Sequence, residues 1–390
     1  MKVKIKILFM HNSMPEYRLP WFSELNELCD CKFWITNPTL SEKIYNTKIN
    51  KDKIQKLDYQ LMEGGIKGYR ELRLLLKSIS AYDFVEFPPI DSFGELVKSV
   101  MVMYYTRKYG IKTGYFWEKW EAPKELQPIG RKVKNKILKV AAKIIFKRVD
   151  VIFCSGSKSK EYFLSAGVQK NKISIIPDSS EAPKCISKDL RKQLGISSNK
   201  KIVLYFGRII EQKGLDKLIC AIANLEEKEK KDIYLLVAGD GPYRMQCEKM
   251  AQQMQLCEYK FIGAVDPDDR YNYFIQCDIF VHPGVFYKGR TDVWGLTLNE
   301  ALQFGKIIIA TTAVGASYDL IVNGQNGYMV EQNNIEQLRD ALRSSITNKD
   351  LQQKAKDIDE KLYLVYNYKN MAVKYLEAVE NILEREGGCL

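Results

Sequence analysis

At 390 residues the chain is long for one domain and ample for two. Its apolar content of 46% is ordinary for a globular protein, and no run approaches the ~18 apolar residues of a spanning helix. The formal net charge of +12 is unevenly placed: residues 1–195 carry roughly +15 and the remainder roughly −3. The halves are therefore expected to face different partners, and nucleic acid, a membrane surface or an anionic substrate each fits the basic one.

The N-terminus, MKVKIKILFMHNS, has no signal-peptide cleavage site and alternates like a first β-strand. The protein is expected to stay on the cytoplasmic side. Nine cysteines, at 29, 31, 154, 185, 220, 247, 257, 277 and 389, include no C-x-x-C pair. They read as reduced core thiols, and His11 and His282 are too few for a histidine-rich metal site.

Strand patterns in the first half are VKIKILF, CKFWI, YDFVEF, KTGYF, DVIFC and ISIIP. Those in the second half are KIVLYF, DIYLLVAG, YKFIG, CDIFVHP, KIIIATT and GYMVEQ, and three helical stretches follow. Helical patterns fill most gaps; Leu215, Leu218, Ile219, Ile222 and Ala223 form one apolar stripe. Repeated βα alternation predicts two doubly wound α/β domains. The polar, strand-free stretch 177–200 is the expected linker, and the domains are drawn as 1–185 and 186–365, with a final helix 366–390 expected to dock on the first.

Two segments carry chemistry. In YFGRIIEQKGLDKL (205–218) a strand ends at Phe206, Gly207 and Arg208 follow, and Lys213 and Gly214 precede a helix. A helix start and two cations suit a phosphate, although a loop with two solvated cations has the same pattern. In RTDVWGLTLNEALQFGK (290–306), Asp292 and Glu300 stand eight positions apart around Gly295, Leu296 and Thr297. Carboxylates there can accept from sugar hydroxyls, while backbone N–H groups meet phosphate oxygens.

With these residues in view, the chain resembles a retaining glycosyltransferase of family four, built on the two-domain GT-B architecture. That architecture implies two Rossmann-like doubly wound domains facing a central cleft. The family's G-R-x(4)-K-G element is similar to Gly207, Arg208, Lys213 and Gly214, and its E-x(7)-E element to Asp292 and Glu300. PEYRLPWFSEL, DVIFCSGSKSKEYF, VAGDGP and IIIATTAVGASYDLIVNGQNGYMV also fit. The resemblance implies that Arg208 and Lys213 neutralise a donor diphosphate, Glu300 binds ribose hydroxyls and Asp292 contacts the donor sugar. It further implies backbone contacts at Gly295, Leu296 and Thr297, a base near Val265, and front-side attack with retention. The partners it implies are a nucleotide-sugar donor and a glycan or lipid-linked acceptor; no cofactor and no metal are expected.

The chain departs from the family in three places. Asp292 replaces the first Glu, the first-strand loop MHNSMPEYR lacks glycines, and the usual first-domain histidine has no counterpart. Glu118, after KTGYF, is the candidate replacement, and a surface Glu among tryptophans is the competing reading. The string Asp266–Asp269 contains D-x-D but sits where Asp caps a turn, so no metal is assigned to it. His282 can face a cleft or serve the core.

GRKVKNKILKVAAKIIFKRVD (130–150) aligns Lys132, Lys136, Lys139, Lys143 and Lys147 on one helical face, with Val133, Ile137, Val140, Ala141, Ile144 and Ile145 opposite. This predicts reversible association with an anionic membrane surface, peripheral on the inner face. No recognised nucleic-acid motif is present and no nucleic-acid partner is expected. The alternatives are a nucleotide-sugar epimerase or hydrolase on the same fold, and a non-catalytic basic module for membranes or nucleic acid.

Overall fold

The computed structural model describes residues 4–40, 54–180, 188–256 and 258–387. Cys185, Cys257, Cys389 and part of the expected linker lie outside these. The six described cysteines are free thiols, five of them buried. The chain divides into two compact units. The first takes the residues up to Lys119, Ile129–Asp178 and those from Tyr368 onward; the second takes Trp120–Pro128 and Ser179–Asn367.

The first unit is a seven-stranded parallel sheet in the order β3-β2-β1-β4-β5-β6-β7. Its strands are β1 (Lys6–His11), β2 (Asp30–Ile35), β3 (Asp58–Leu61), β4 (Phe84–Phe87), β5 (Lys112–Phe116), β6 (Val151–Cys154) and β7 (Ile173–Ile175). Successive side chains of a strand point to opposite faces, and β1 buries both. Ile7 and Phe9 join Trp21, Phe22, Leu25 and Tyr375 on one side, while Leu8 and Met10 join Val102, Leu138 and Ile145 on the other. Fully burying such side chains contributes about 1.5–3 kcal/mol each. The last helix, Tyr368–Gly387, belongs to the first core. Its Tyr375 hydroxyl donates to Glu86 Oε2 at 3.0 Å, and burial raises that carboxyl well above its usual range.

The second unit is a six-stranded parallel sheet in the order β10-β9-β8-β11-β12-β13. Its strands are β8 (Lys201–Phe206), β9 (Ile233–Ala238), β10 (Tyr259–Gly263), β11 (Ile279–His282), β12 (Ile307–Thr311) and β13 (Gly327–Val330). Val203 and Tyr205 pack with the stripe Leu215, Leu218, Ile219 and Ile222; Ile202 and Leu204 pack with Phe274, Trp294, Leu298 and Leu302. The order reverses between β8 and β11, where sequential connections run to opposite sides of the sheet. Doubly wound sheets bind ligands outside the strand ends at such a point.

Two expectations change. The edge strand β3, DYQL, is polar and short and carries no apolar pattern in the sequence. In the helix Ile129–Arg148 the buried side is Leu138, Ala142, Ile145 and Phe146, whereas Val133, Ile137, Val140 and Ile144 are exposed. Both sides of that helix are apolar at helical spacing, and the side with Leu138, Ala142, Ile145 and Phe146 is the one that packs into the core. Lys139 also leaves the free cationic face: it donates to Ser165 Oγ at 3.2 Å and lies 4.6 Å from the Tyr162 ring centre.

Candidate active site

The loops after β8 and β11 meet at the switch point of the second unit. They are tied by Val285 N–H donating to Gln212 O at 2.9 Å and by the Tyr287 hydroxyl at 3.3 Å from Glu211 Oε1. Gly214 lets them close. Its φ is +68°, and a Cβ there would fall 1.9 Å from Pro283 O, so any other residue would push the loops apart. Gly214 also precedes the helix Leu215–Ala223.

This closure brings Lys213 onto Asp292. The two form an ion pair, each side chain 20% exposed. His282, the last residue of β11, places Nε2 2.8 Å from the same Asp292 Oδ2 and 3.4 Å from Lys213 Nζ. Asp292 is held from behind as well, because its carbonyl accepts from Gly315 N–H at 2.9 Å. Burial pushes the Asp292 carboxyl up, but the Lys213 charge and the His282 hydrogen bond outweigh it and hold the group well below the usual carboxylate range. Burial, then the Lys213 charge, lowers His282 against the pull of Asp292, so its imidazole is neutral at pH 7. The cluster therefore holds a cation, an anion and a neutral imidazole.

Beside it, Gly295 has φ +99°, and its missing Cβ would meet Val314 Cγ1 at 2.7 Å. Leu296 then leads into the helix Thr297–Leu302. Trp294 Nε1 donates to Asn299 Oδ1 at 2.7 Å and fixes this turn. Glu300, inside the helix, meets Arg270 Nε at 2.8 Å through Oε1. Arg270 also donates to Pro267 O at 2.8 Å and lies 4.6 Å from the Tyr271 ring centre. The sequence reading missed Arg270; its place directly after Asp266–Asp269, at the start of a helix, was the available signal. Arg208 stands exposed after Gly207, its carbonyl accepting from the Tyr205 hydroxyl at 2.9 Å. Val265 is half-buried against the Trp294 side of the core.

The D-x-D string is engaged locally. The Asp266 carboxylate accepts from Asp268 N–H at 2.9 Å, capping a 3-10 turn, and Asp269 pairs with Lys188. Among the described residues no group of three or more His, Cys, Asp or Glu is placed to hold a metal ion.

The first unit reverses strand order between β1 and β4, and polar residues gather there too. Glu118, after β5, is ion-paired with Arg18, which is 4% exposed and lies 5.0 Å from the Phe116 ring centre. Glu118 is thus not a loose surface carboxylate, and Arg18 is a second residue missed from sequence. Asn12 Nδ2 donates to Asp91 Oδ2 at 2.8 Å. Burial, then the nearby Arg18 charge, lowers His11 to about 3, which leaves it neutral.

Comparison with known proteins places this geometry. Residues 186–362 match the family model described as glycosyl transferases group 1. An uncharacterized glycosyltransferase of Methanocaldococcus jannaschii is 29% identical over 225 residues, covering 56% of each chain. The lipopolysaccharide 1,2-N-acetylglucosaminetransferase of Salmonella typhimurium is 24% identical over 225 residues, 55% of this chain and 58% of that one. The chain thus spans little more than half the length of these curated relatives. Among solved structures, Anabaena HepE in complex with UDP superposes with a TM-score of 0.75 at 16% identity, over 97% of this chain and 100% of that one. The chain thus has two parallel α/β units of the GT-B kind, and residues 186–362, in the second of them, are similar to the group 1 glycosyl transferases.

Proposed function

We propose that the protein is a retaining glycosyltransferase that moves a sugar from a nucleoside-diphosphate donor to a lipid-linked glycan acceptor during surface-polysaccharide synthesis. The observation that carries this reading is the ion pair of Lys213 with Asp292 at the β8/β11 switch point. A cation there meets the charge that develops on a departing diphosphate, and a fixed carboxylate beside it can accept from a sugar hydroxyl. Arg208 supplies the second charge on the diphosphate, and Glu300 accepts from the ribose hydroxyls. Gly207 lets the backbone pass close to the donor, backbone N–H groups at Gly295, Leu296 and Thr297 and the half-buried Val265 complete the donor contacts, and Glu118 serves the sugar or acceptor. The UDP complex of the Anabaena neighbour supports a nucleotide donor, and the lipopolysaccharide enzyme supports an acceptor of that class.

The same reading places the protein on the cytoplasmic face of an anionic membrane. The helix Ile129–Arg148 supports this with Lys132, Lys136, Lys143 and Lys147 exposed beside Val133, Ile137, Val140 and Ile144. Apolar side chains flanked by lysines are the composition of an interfacial helix.

The deciding experiment is a screen of nucleotide sugars for turnover, followed by Arg208→Ala and Lys213→Ala. Each variant is expected to lose about 100-fold or more in kcat, in line with removal of a charge that stabilises a leaving group. Near-normal turnover in both overturns the assignment.

A further inference from the structure

We propose that His282 is a positioning residue, which keeps Asp292 aimed at the donor sugar when Lys213 turns from Asp292 to the donor diphosphate. The inference rests on the donor-site reading above and adds a residue to it.

Asp292 Oδ2 has two polar neighbours of different mobility. Lys213 reaches it at the end of a flexible four-carbon stem and is 20% exposed. His282 is 4% exposed, at the end of a central strand, with Nε2 2.8 Å from the same oxygen. Gly284 leaves room for the ring, since a Cβ there would crowd it at 3.1 Å from Cε1 and 3.2 Å from Nδ1. Nδ1 has no hydrogen-bond partner among the described residues, so the ring proton is best used on Nε2, donating to Asp292. When a diphosphate arrives, its charge competes for the Lys213 ammonium, and the carboxylate loses its counter-ion. The His282 N–H remains. Because the imidazole is neutral, it orients Asp292 without adding a cation that would draw the diphosphate away from Arg208 and Lys213.

The 390-residue chain has two histidines, so its imidazole nitrogen NMR reads His282 against His11 as an internal reference. His282 is expected as the neutral Nε2–H tautomer, both alone and with saturating UDP or GDP, whichever binds more tightly. Asp292→Asn should shift the His282 nitrogens and leave those of His11 in place. In kinetics with the best donor from the screen, His282→Leu should lower kcat about tenfold or more, since misplacing a reacting group by 1 Å can cost 100-fold. Affinity for the nucleoside diphosphate should stay within about threefold, and His282→Gln, whose amide N–H reaches the same place, should recover most of the loss. An Nδ1–H tautomer, or a spectrum indifferent to Asp292→Asn, overturns the proposal. So does His282→Leu with unchanged kcat, or with equal losses in kcat and nucleotide affinity that Gln does not rescue, the mark of a packing role. Normal turnover in Asp292→Asn sinks the donor-site reading instead, whatever the His282 variants do.

Discussion

Arg270 Nε lies 2.8 Å from Glu300 Oε1, so the carboxylate assigned to the donor ribose already has a cationic partner. That partner is itself anchored by Pro267 O, which fixes the carboxylate's direction. Removing the carboxylate costs hydrogen bonds to a charged acceptor, each about 1.5–3 kcal/mol. Glu300→Ala is therefore expected to weaken UDP or GDP binding by about 10- to 150-fold, and Arg270→Gln by less. Calorimetry with the ribo- and 2′-deoxynucleotides checks the contact, because Glu300→Ala should erase the difference between them. Equal affinity of wild type for both nucleotides removes the 2′-hydroxyl from the assignment.

Chelation tests the leaving-group chemistry. Asp266 and Asp269 are engaged as a turn cap and an ion pair, and the charge of a departing diphosphate is assigned to Arg208 and Lys213. Turnover is expected to persist in excess EDTA, with no stimulation on adding Mn²⁺ or Mg²⁺. Loss in EDTA with recovery on Mn²⁺ would return the D-x-D string to consideration as a cation site.

Vesicle binding separates the two exposed features of the helix Ile129–Arg148. Lys136, Lys143 and Lys147 replaced together by Gln should weaken affinity for anionic vesicles by at most about 3 kcal/mol, at about 1 kcal/mol per cation. Wild-type binding should fall as salt rises, since attraction is screened beyond ~8–10 Å. Val140→Asp, at a position 60% exposed, should weaken binding to vesicles even at low salt while the fold persists. Co-sedimentation measures both, alongside turnover on a soluble acceptor, which should change little. Salt-insensitive sedimentation equal in all variants leaves this helix an ordinary solvated one.

Asp359 makes the stability of the second unit depend on pH. It is fully buried, its Oδ1 accepts from Asn326 Nδ2 at 2.8 Å, and burial raises its pKa to about 8. A carboxyl that is neutral when folded and ionised when unfolded costs nothing below about pH 4. Its cost then grows by about 1.4 kcal/mol per pH unit up to the folded pKa and levels off above it. Asp359→Asn keeps an acceptor for Asn326 and removes the ionisation. The variant is expected to match wild type near pH 4 and to exceed it by on the order of a few kcal/mol near pH 8. Denaturant unfolding at the two pH values is the measurement; an equal pH slope in both proteins overturns the account.

Much of this molecule was readable from local pattern. All six strands of the second sheet appear as short, largely apolar runs, most clearly the four inner ones, β8, β9, β11 and β12, because strands covered on both faces must be largely apolar. The spacing of Gly207, Arg208, Lys213 and Gly214, and of Asp292 and Glu300, carried the family resemblance. Sequence also flagged His282 but could not choose between cleft and core. That choice depends on how closely the β8 and β11 loops approach, which Gly214 and Pro283 decide.

What only the tertiary structure decided involves partners far apart in the chain or faces of equal pattern. Arg18 and Glu118 are a hundred positions apart, Arg270 and Glu300 thirty, and neither pair leaves a local trace. The edge strand Asp58–Leu61 is held by backbone pairing to β2, which any side chains permit. Trp120–Pro128 groups with the second unit, with Trp120 edge-on to Phe286 and Tyr318 at 5.3 and 6.1 Å between ring centres. In the helix Ile129–Arg148, period 3.6 describes two apolar stripes equally well. Burial goes to Leu138, Ala142, Ile145 and Phe146 because they fit the surface of β4–β6 and its neighbouring helices; shape selects the face where hydrophobicity alone does not.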